Sequence, residues 1–262
     1  NTFRHPRCPL CEGTSLSLVG VVTLPAVVPF STHDITLALP PELWRCDGCG
    51  SAFIQHAVSP AEARSLYASG DSGSRWAQRR GFSRTKTRDV KAALASLVRG
   101  QSVLDVGCNT GELLDWARSL GARTAGVEYA DSARATATSR GHTLFASLDE
   151  ARGRWEVITA FDVVEHLHDV RAFLASCRER LAPGGRLVVV TGNPSCTLAT
   201  EQGARWKYVH PPEHLVFPSP AWWGRAPGFV LESLRETWVD QDRAPSTPRR
   251  VLSALGGVLG RA

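Results

Sequence analysis

No methionine occurs in the 262 residues, and no apolar run approaches the roughly 18 residues that a membrane-spanning helix needs. A membrane span is therefore not expected. The most apolar early stretch, LVGVVTLPAVVPF, contains Pro25 and Pro29 and follows two closely spaced cysteines, which argues against a cleavable signal peptide. A cytoplasmic protein is expected. The chain starts at Asn1, and processing or missing residues would each account for that start and for the lack of Met. One motif is absent as well. No G-x-G-x-x-G follows a strand, which disfavours a dinucleotide.

What remains is ordinary for a soluble globular protein, at 43% hydrophobic and 21% charged residues. The length suits one full domain with a small appendage. The formal charge is +5, and residues 61–91 hold eight Arg or Lys (Arg64, Arg75, Arg79, Arg80, Arg84, Lys86, Arg88, Lys91) against three acids (Glu62, Asp71, Asp89). Such a segment reads as a solvated helical face, with an anionic substrate or nucleic acid as the alternative.

The seven cysteines divide into a quartet and three singles. CPLC and CDGC place Cys8, Cys11, Cys46 and Cys49 in two C-x-x-C turns. Each turn aims two thiolates at one tetrahedral centre, and two turns close a structural Zn2+ shell. Gly13, Gly48 and Gly50 supply the tight backbone. The long intervening loop adds little closure cost. Disulfides would require an oxidising compartment, for which nothing speaks. A closed four-thiolate shell has no open position for catalysis, so its role is to staple a module over residues 1–58 that is too small to bury much core. Cys108, Cys177 and Cys196 read as small buried hydrophobes.

From Pro60 to Arg99 the apolar spacing is helical, interrupted by a polar stretch with Trp76 and Phe82 that reads as a cover; residues 59–100 form a helical lid or linker. Strands and helices then alternate: SVLDVG, GELLDWARSL, TAGVEY, DSARATATSR, TLFAS, WEVITAFDVV, VRAFLASCRERL and GGRLVVVTG. That alternation predicts an α/β fold, a doubly wound, mostly parallel sheet over residues 101–240. GFVLESLRETWV supplies a sixth strand. The remainder, residues 241–262, shows no clear seventh and reads as a linker and a basic amphipathic tail helix.

Ligands of such sheets sit beyond the strands' carboxyl ends. There stands VLDVGCNTG, Val103 to Gly111. Gly107, Asn109 and Glu112 occupy the three glycine positions of a dinucleotide fingerprint, and a glutamate at a helix start repels a pyrophosphate. Gly107 and Gly111 still admit a close approach of the backbone. Twenty-one residues after Gly107 comes Glu128, placed to accept hydrogen bonds from both hydroxyls of a ribose. A ribose, a positive group and no phosphate describe S-adenosylmethionine.

VLDVGCNTG, Glu128, FDVVEHLHD and LAPGGRLVVVT together resemble the class I S-adenosylmethionine-dependent methyltransferases over about residues 101–191. The resemblance implies the Rossmann-like methyltransferase fold. It implies that Asp105, Gly107, Asn109 and Gly111 hold the methionine part and Glu128 the ribose. Tyr129 would lie against the adenine, with Ala146, Ser147 and Leu148 along its edge, and Phe161 is placed with the same set.

Methyl transfer from a sulfonium is an in-line displacement, in which the protein aligns the nucleophile and removes its proton. Glu165, His166 and His168 follow the fourth strand, where the resemblance is closest to ubiquinone-type O-methyltransferases and zinc-ribbon methyltransferases of sugar and natural-product pathways. His166 is a candidate base or a packing residue. WKYVHPPEHLVF brings Trp206, Tyr208, His210, Glu213 and His214 after the fifth strand, and a substrate-side role is expected for His210 or His214. These two form a His-x3-His pair that suits a metal, but no third ligand is evident from the sequence. Ser219 and Pro220 open the next helix. O-methylation of a small-molecule acceptor, a sugar or specialised metabolite, is the leading expectation; oligomeric state is open. Alternatives are an RNA methyltransferase with a zinc module, a sugar C-methyltransferase, or a non-catalytic cofactor-binding protein.

Overall fold

The computed structural model describes residues 2–70, 84–238 and 254–261. Trp76, Phe82, Arg75, Arg79 and Arg80 of the expected cover lie outside them, as does the linker expected before residue 254. The strands are β1 (Thr2–Phe3), β2 (Leu16–Val21), β3 (Val28–Phe30), β4 (His33–Ile35), β5 (Glu42–Cys46), β6 (Ala52–Gln55) and β7 (Ala57–Val58), followed by β8 (Ser102–Val106), β9 (Arg123–Val127), β10 (Thr143–Phe145), β11 (Trp155–Phe161) and β12 (Leu181–Gly192). β13 (Val216–Phe217), β14 (Val230–Trp238) and β15 (Ala254–Arg261) complete them. The α-helices are α1 (Pro60–Ser69), α2 (Arg84–Val98), α3 (Glu112–Ser119), α4 (Asp131–Ser139), α5 (Val170–Arg180), α6 (Thr197–Gln202) and α7 (Pro220–Trp223).

The large sheet runs β10-β9-β8-β11-β12-β15-β14. Its first five strands are parallel. Every residue of β8 is buried, as a central parallel strand covered on both faces requires. Strand order reverses between β8 and β11: β9 and β10 lie to one side, and β11 and β12 to the other. The crevice of such a sheet opens there, beyond the carboxyl ends of β8 and β11.

The helix starts carry their signals in the sequence. Ser59 accepts from the Glu62 N–H ahead of Pro60, Asp169 accepts from the Ala172 N–H at α5, and Ser219 accepts from the Trp222 N–H ahead of Pro220. α3 starts instead from Gly111 at φ +88°, a left-handed turn suited to glycine.

The carboxyl-terminal expectation needs correction. The tail helix predicted within residues 241–262 is a strand over Ala254–Arg261, which lies between β12 and β14 and is antiparallel to both. It is the seventh strand that the sequence did not reveal. Pairing on both sides satisfies its backbone groups, and this outweighs the weak strand preference of ALGGVLGR.

The amino-terminal residues build a separate four-stranded antiparallel sheet, β13-β6-β5-β2, whose first strand is contributed by residues 216–217. Leu10, Phe53 and Ile54 of the module share one continuous apolar core with Phe217, Trp222, Trp223 and the parallel sheet. No helix among the described residues is long and apolar enough to cross a membrane.

Deleting residues 251–262 removes the strand between β12 and β14 and bares two long edges. The expected outcome is a fall in Tm of at least about 10 °C, several kcal/mol at about 2–4 °C per kcal/mol, with aggregation at micromolar concentration; a soluble truncated protein with unchanged Tm would show that the strand adds nothing.

Candidate active site

β8 ends in Asp105 and Val106, and the chain then turns through left-handed backbone at Gly107 (φ +72°), Asn109 (φ +48°) and Gly111 (φ +88°) before α3. The Val127 carbonyl accepts from the N–H groups of Gly107 (2.8 Å) and Cys108 (3.2 Å). A β-carbon at Gly107 would stand 2.6 Å from Val163 Cγ2, and one at Gly111 would stand 2.9 Å from His142 Cδ2. Neither position has room for a side chain. Buried His142, which sequence reasoning did not single out, is fixed by an Nε2 contact of 3.0 Å to Asp115 Oδ1.

Asp105 is buried, and its Oδ1 accepts from Thr159 Oγ1 at 2.7 Å. Burial pushes the Asp105 carboxyl up to about 7; the Thr159 bond opposes that rise and the nearby Glu128 carboxylate adds to it. Glu128 follows β9. Its Oε2 accepts from the Asn109 N–H (2.9 Å) and its Oε1 from the Ala130 N–H (2.8 Å). Burial raises this carboxyl as well, and the backbone donors work against the rise. Two backbone bonds leave lone pairs on both oxygens for a diol. Asn109 Oδ1 is buried and has no hydrogen-bond partner among the described residues. Such an atom at the crevice needs a donor from a bound molecule or water.

The remaining expected cofactor residues lie around this rim in different ways. Tyr129 is 49% exposed beside Glu128. Ser147 and Leu148 follow β10, with Leu148 buried and Ser147 half-buried. Phe161 ends β11 and packs against the cluster that holds Leu94, Val98 and Val103.

Beyond the end of β11, the turn after that strand and the loop after α6 meet. Glu165 is fully buried: its Oε2 accepts from Thr191 Oγ1 at 2.8 Å, and its Oε1 accepts a short bond from the Tyr208 hydroxyl. The His166 and His214 rings stand edge to face, centroids 4.8 Å apart. His166 Nδ1 lies 3.0 Å from Glu213 O, and His214 Nδ1 lies 2.7 Å from Tyr208 O. A carbonyl only accepts, so Nδ1 carries the proton in both rings and Nε2 keeps the lone pair. Tyr67 of α1 adds its hydroxyl at 3.0 Å from His166 Nδ1. Burial lowers the His166 imidazole and takes His214 down to about 4, so both are uncharged at neutral pH.

Glu165, His166 and His214 each offer one ligand atom, and these atoms lie within 4.8 Å of one another. The metal idea drawn from His210 and His214 therefore changes composition: His214 joins residues of the β11 turn. His210 stays at the edge, its side chain 41% exposed, 3.7 Å from Glu213 Oε2 and with its ring 6.0 Å from that of His214. His168 reaches the module, where its Nε2 donates to Val58 O at 2.8 Å.

In the amino-terminal module Cys8, Cys11, Cys46 and Cys49 converge, with Sγ atoms 3.8 Å apart for Cys8 and Cys49 and 3.5 Å for Cys11 and Cys46. Tetrahedral Zn–S bonds of about 2.3 Å put sulfurs about 3.8 Å apart, so the residues fit the ion. A β-carbon at Gly13 would sit 3.3 Å from the sulfurs of both Cys11 and Cys46.

The family described as "Methyltransferase domain" matches residues 70–234. The chain belongs to that methyltransferase family. It is 37% identical over 103 residues to a ubiquinone biosynthesis O-methyltransferase of Bradyrhizobium sp., covering 36% of this chain and 41% of that protein. A protein of the same description from Cereibacter sphaeroides is 35% identical over 131 residues, covering 45% and 52%. The chain thus spans about half the length of the curated relatives it matches, or less. Among solved structures, magnesium protoporphyrin IX methyltransferase from Synechocystis with bound SAH superposes with a TM-score of 0.57 at 16% identity, over 78% of this chain and all of that one. The CcbJ methyltransferase from Streptomyces caelestis gives 0.52 at 17%, over 76% and 95%. These likenesses establish the methyltransferase fold.

Sequence reasoning assigned no role at this site to Tyr67 or Thr191, and it named Tyr208 without the partner of its hydroxyl. Their partners lie 99, 26 and 43 residues away in the chain, and no local pattern announces them.

Asp105 also yields a stability test. Its folded value stands above its ordinary 3.8, so between about pH 4 and 7 the folded state binds the extra proton and stability falls as pH rises. Asp105→Asn removes this loss. It is expected to stabilise the ligand-free protein at pH 8 by on the order of a few kcal/mol, and much less at pH 4. Denaturant melts of both proteins at the two pH values check this; equal shifts at both would show that the carboxyl does not carry the effect.

Proposed function

We propose that this chain binds S-adenosylmethionine in the crevice at the ends of β8 and β9 and methylates a hydroxyl of a small-molecule acceptor. The observation that carries the reading is the crevice's set of unmet polar groups: the orphaned Asn109 Oδ1 beside the Glu128 carboxylate, with uncharged imidazoles on the opposite wall. In this reading Asp105 and the Gly107–Gly111 turn hold the methionine portion. Glu128 takes the ribose hydroxyls, and Tyr129, Ser147, Leu148 and Phe161 border the adenine. The cofactor, when bound, supplies a methyl on a sulfonium that accepts the leaving electron pair. His166 or His214 takes the acceptor hydroxyl's proton at Nε2 while its Nδ1–H stays on a backbone carbonyl, which keeps the ring in one tautomer. Buried Glu165, held by Tyr208 and Thr191, offsets the positive charge that forms on the ring.

The named relatives are O-methyltransferases, which supports oxygen as the acceptor atom; a sugar or specialised metabolite is the class we favour. The grouping of Glu165, His166 and His214 supports a second reading, in which a divalent cation there acidifies the hydroxyl. The four-cysteine module is proposed to hold a structural Zn2+.

Isothermal titration with S-adenosylhomocysteine is expected to show one site. Glu128→Ala should weaken it by about a hundredfold, the loss of charge-assisted hydrogen bonds at about 1.5–3 kcal/mol each; unchanged affinity would displace the ribose from Glu128. His166→Ala or His214→Ala should lower kcat by about a hundredfold while this affinity holds. Activity that survives both substitutions would rule out an imidazole base, and activity lost to EDTA and restored by a divalent ion would favour the metal reading. Elemental analysis should find about one zinc per chain, lost in Cys8→Ser/Cys49→Ser.

A further inference from the structure

His214 sits in a segment that the amino-terminal module grips on both sides. The next residue, Leu215, donates its N–H to Glu165 O at 2.6 Å and accepts at its carbonyl from the Ile54 N–H at 2.7 Å. One residue thus spans from the β11 turn to β6 of the module. Val216 and Phe217 then pair with Phe53 and Ala52 as an added strand. Beyond them the Ser219 N–H donates to Ser51 Oγ (2.9 Å), and Ser219 Oγ donates to the carbonyl of Cys49 (2.5 Å), a member of the thiolate quartet. On the other side of His214, Glu213 Oε1 accepts from the Ser31 N–H at 2.7 Å. Ser51, Phe53, Ile54, Leu215, Val216, Phe217 and Ser219 are all buried, so water does not compete for these bonds.

We propose that the four-cysteine module is a positioning part of the acceptor wall: by strand addition from β6 it holds the His214 segment against Glu165. The inference deepens the function proposed above and rests on it for the role of His214. A module that merely stapled the amino terminus would need neither a strand from residues 216–217 nor bonds to Ser219 and Glu213. The links converge on residues 213–219, around one imidazole. Leu215 cannot shift without breaking a bond to one side or the other. Placement of a proton acceptor to within a fraction of an ångström is where such restraint counts for rate.

The test uses the full chain with Ser51→Ala/Ser219→Ala, which removes two hydroxyls and leaves every cysteine in place. Hydrogen exchange of the ligand-free protein reads the segment 206–217 directly. Exchange there is expected to speed up by about tenfold, as for one or two lost buried hydrogen bonds, while the 101–145 region is unchanged. S-adenosylhomocysteine affinity and KM for S-adenosylmethionine should stay within about twofold, and kcat should drop by about tenfold. Unaltered exchange over 206–217, or a speeding spread equally over 101–145, would overturn the proposal. Should the double variant not fold, Glu213→Ala cuts the Ser31 link, and the same two exchange outcomes decide. The exchange result needs neither cofactor nor acceptor, so a failure of the proposed activity would show separately, as absent cofactor binding by the unaltered protein.

Discussion

The Val127 carbonyl, which takes the N–H groups of Gly107 and Cys108, determines the shape of the crevice. β8 and β9 stay paired to the last residue of each, Val106 opposite Val127, and the chain leaves the ladder through left-handed backbone at Gly107. The next N–H, of Asn109, goes to the Glu128 carboxylate. Three successive donors of the turn are thereby committed to β9 and the residue after it. The turn cannot collapse into the crevice, and Asn109 keeps a buried oxygen without a partner among the described residues. A side chain at Gly107 would strike Val163, so the second wall, from the β11 turn, packs directly on the same turn. The polar demand of the crevice follows from the backbone's hydrogen bonds as much as from any side chain.

Two opposed electrostatic regimes share that crevice. On the β8–β9 side Asp105 and Glu128 are carboxyls raised by burial, in want of positive charge or hydrogen-bond donors. On the β11 side the imidazoles are lowered by burial and stand uncharged. Low dielectric drives both shifts, acids upward and bases downward, because each charged form loses its water. A cationic ligand relieves the first wall and leaves the second neutral and basic. That separation suits a reaction that consumes a positive charge on one side and takes up a proton on the other.

The β8–β9 side was legible in the sequence because it is local: strand, glycine turn, helix and the end of the next strand lie within Val103–Tyr129. The parallel sheet was legible for the same reason, as periodicity and helix caps repeat along the chain. The β11 side was not. Ser31 meets Glu213 across 182 residues and Tyr67 meets His166 across 99, pairings set by the way the module folds back on the sheet. The seventh strand failed in another way. Its three glycines and its alanine and leucines carry a helix-like or neutral preference, and only the gap between β12 and β14 makes it a strand.

β11 joins the two walls, and this limits how far they can move apart. Thr159 binds Asp105 from within the strand, and six residues later Glu165 anchors Tyr208. Between them the chain turns at Asp162, a non-glycine residue at φ +52° whose N–H is held by Val190 O at 2.9 Å. The Tyr208 hydroxyl stands 3.4 Å from Asp162 Oδ1 and so braces the turn from the loop after α6. An in-line transfer needs donor and proton acceptor at a set distance. In the function proposed above, that distance is spanned by one continuous strand and turn, Thr159 to Glu165. The module's grip on Leu215 then closes the far side of the same turn through the Glu165 carbonyl. The β8–β9 wall is thus built by the parallel sheet alone, whereas the β11 wall takes contacts from the sheet and the module together.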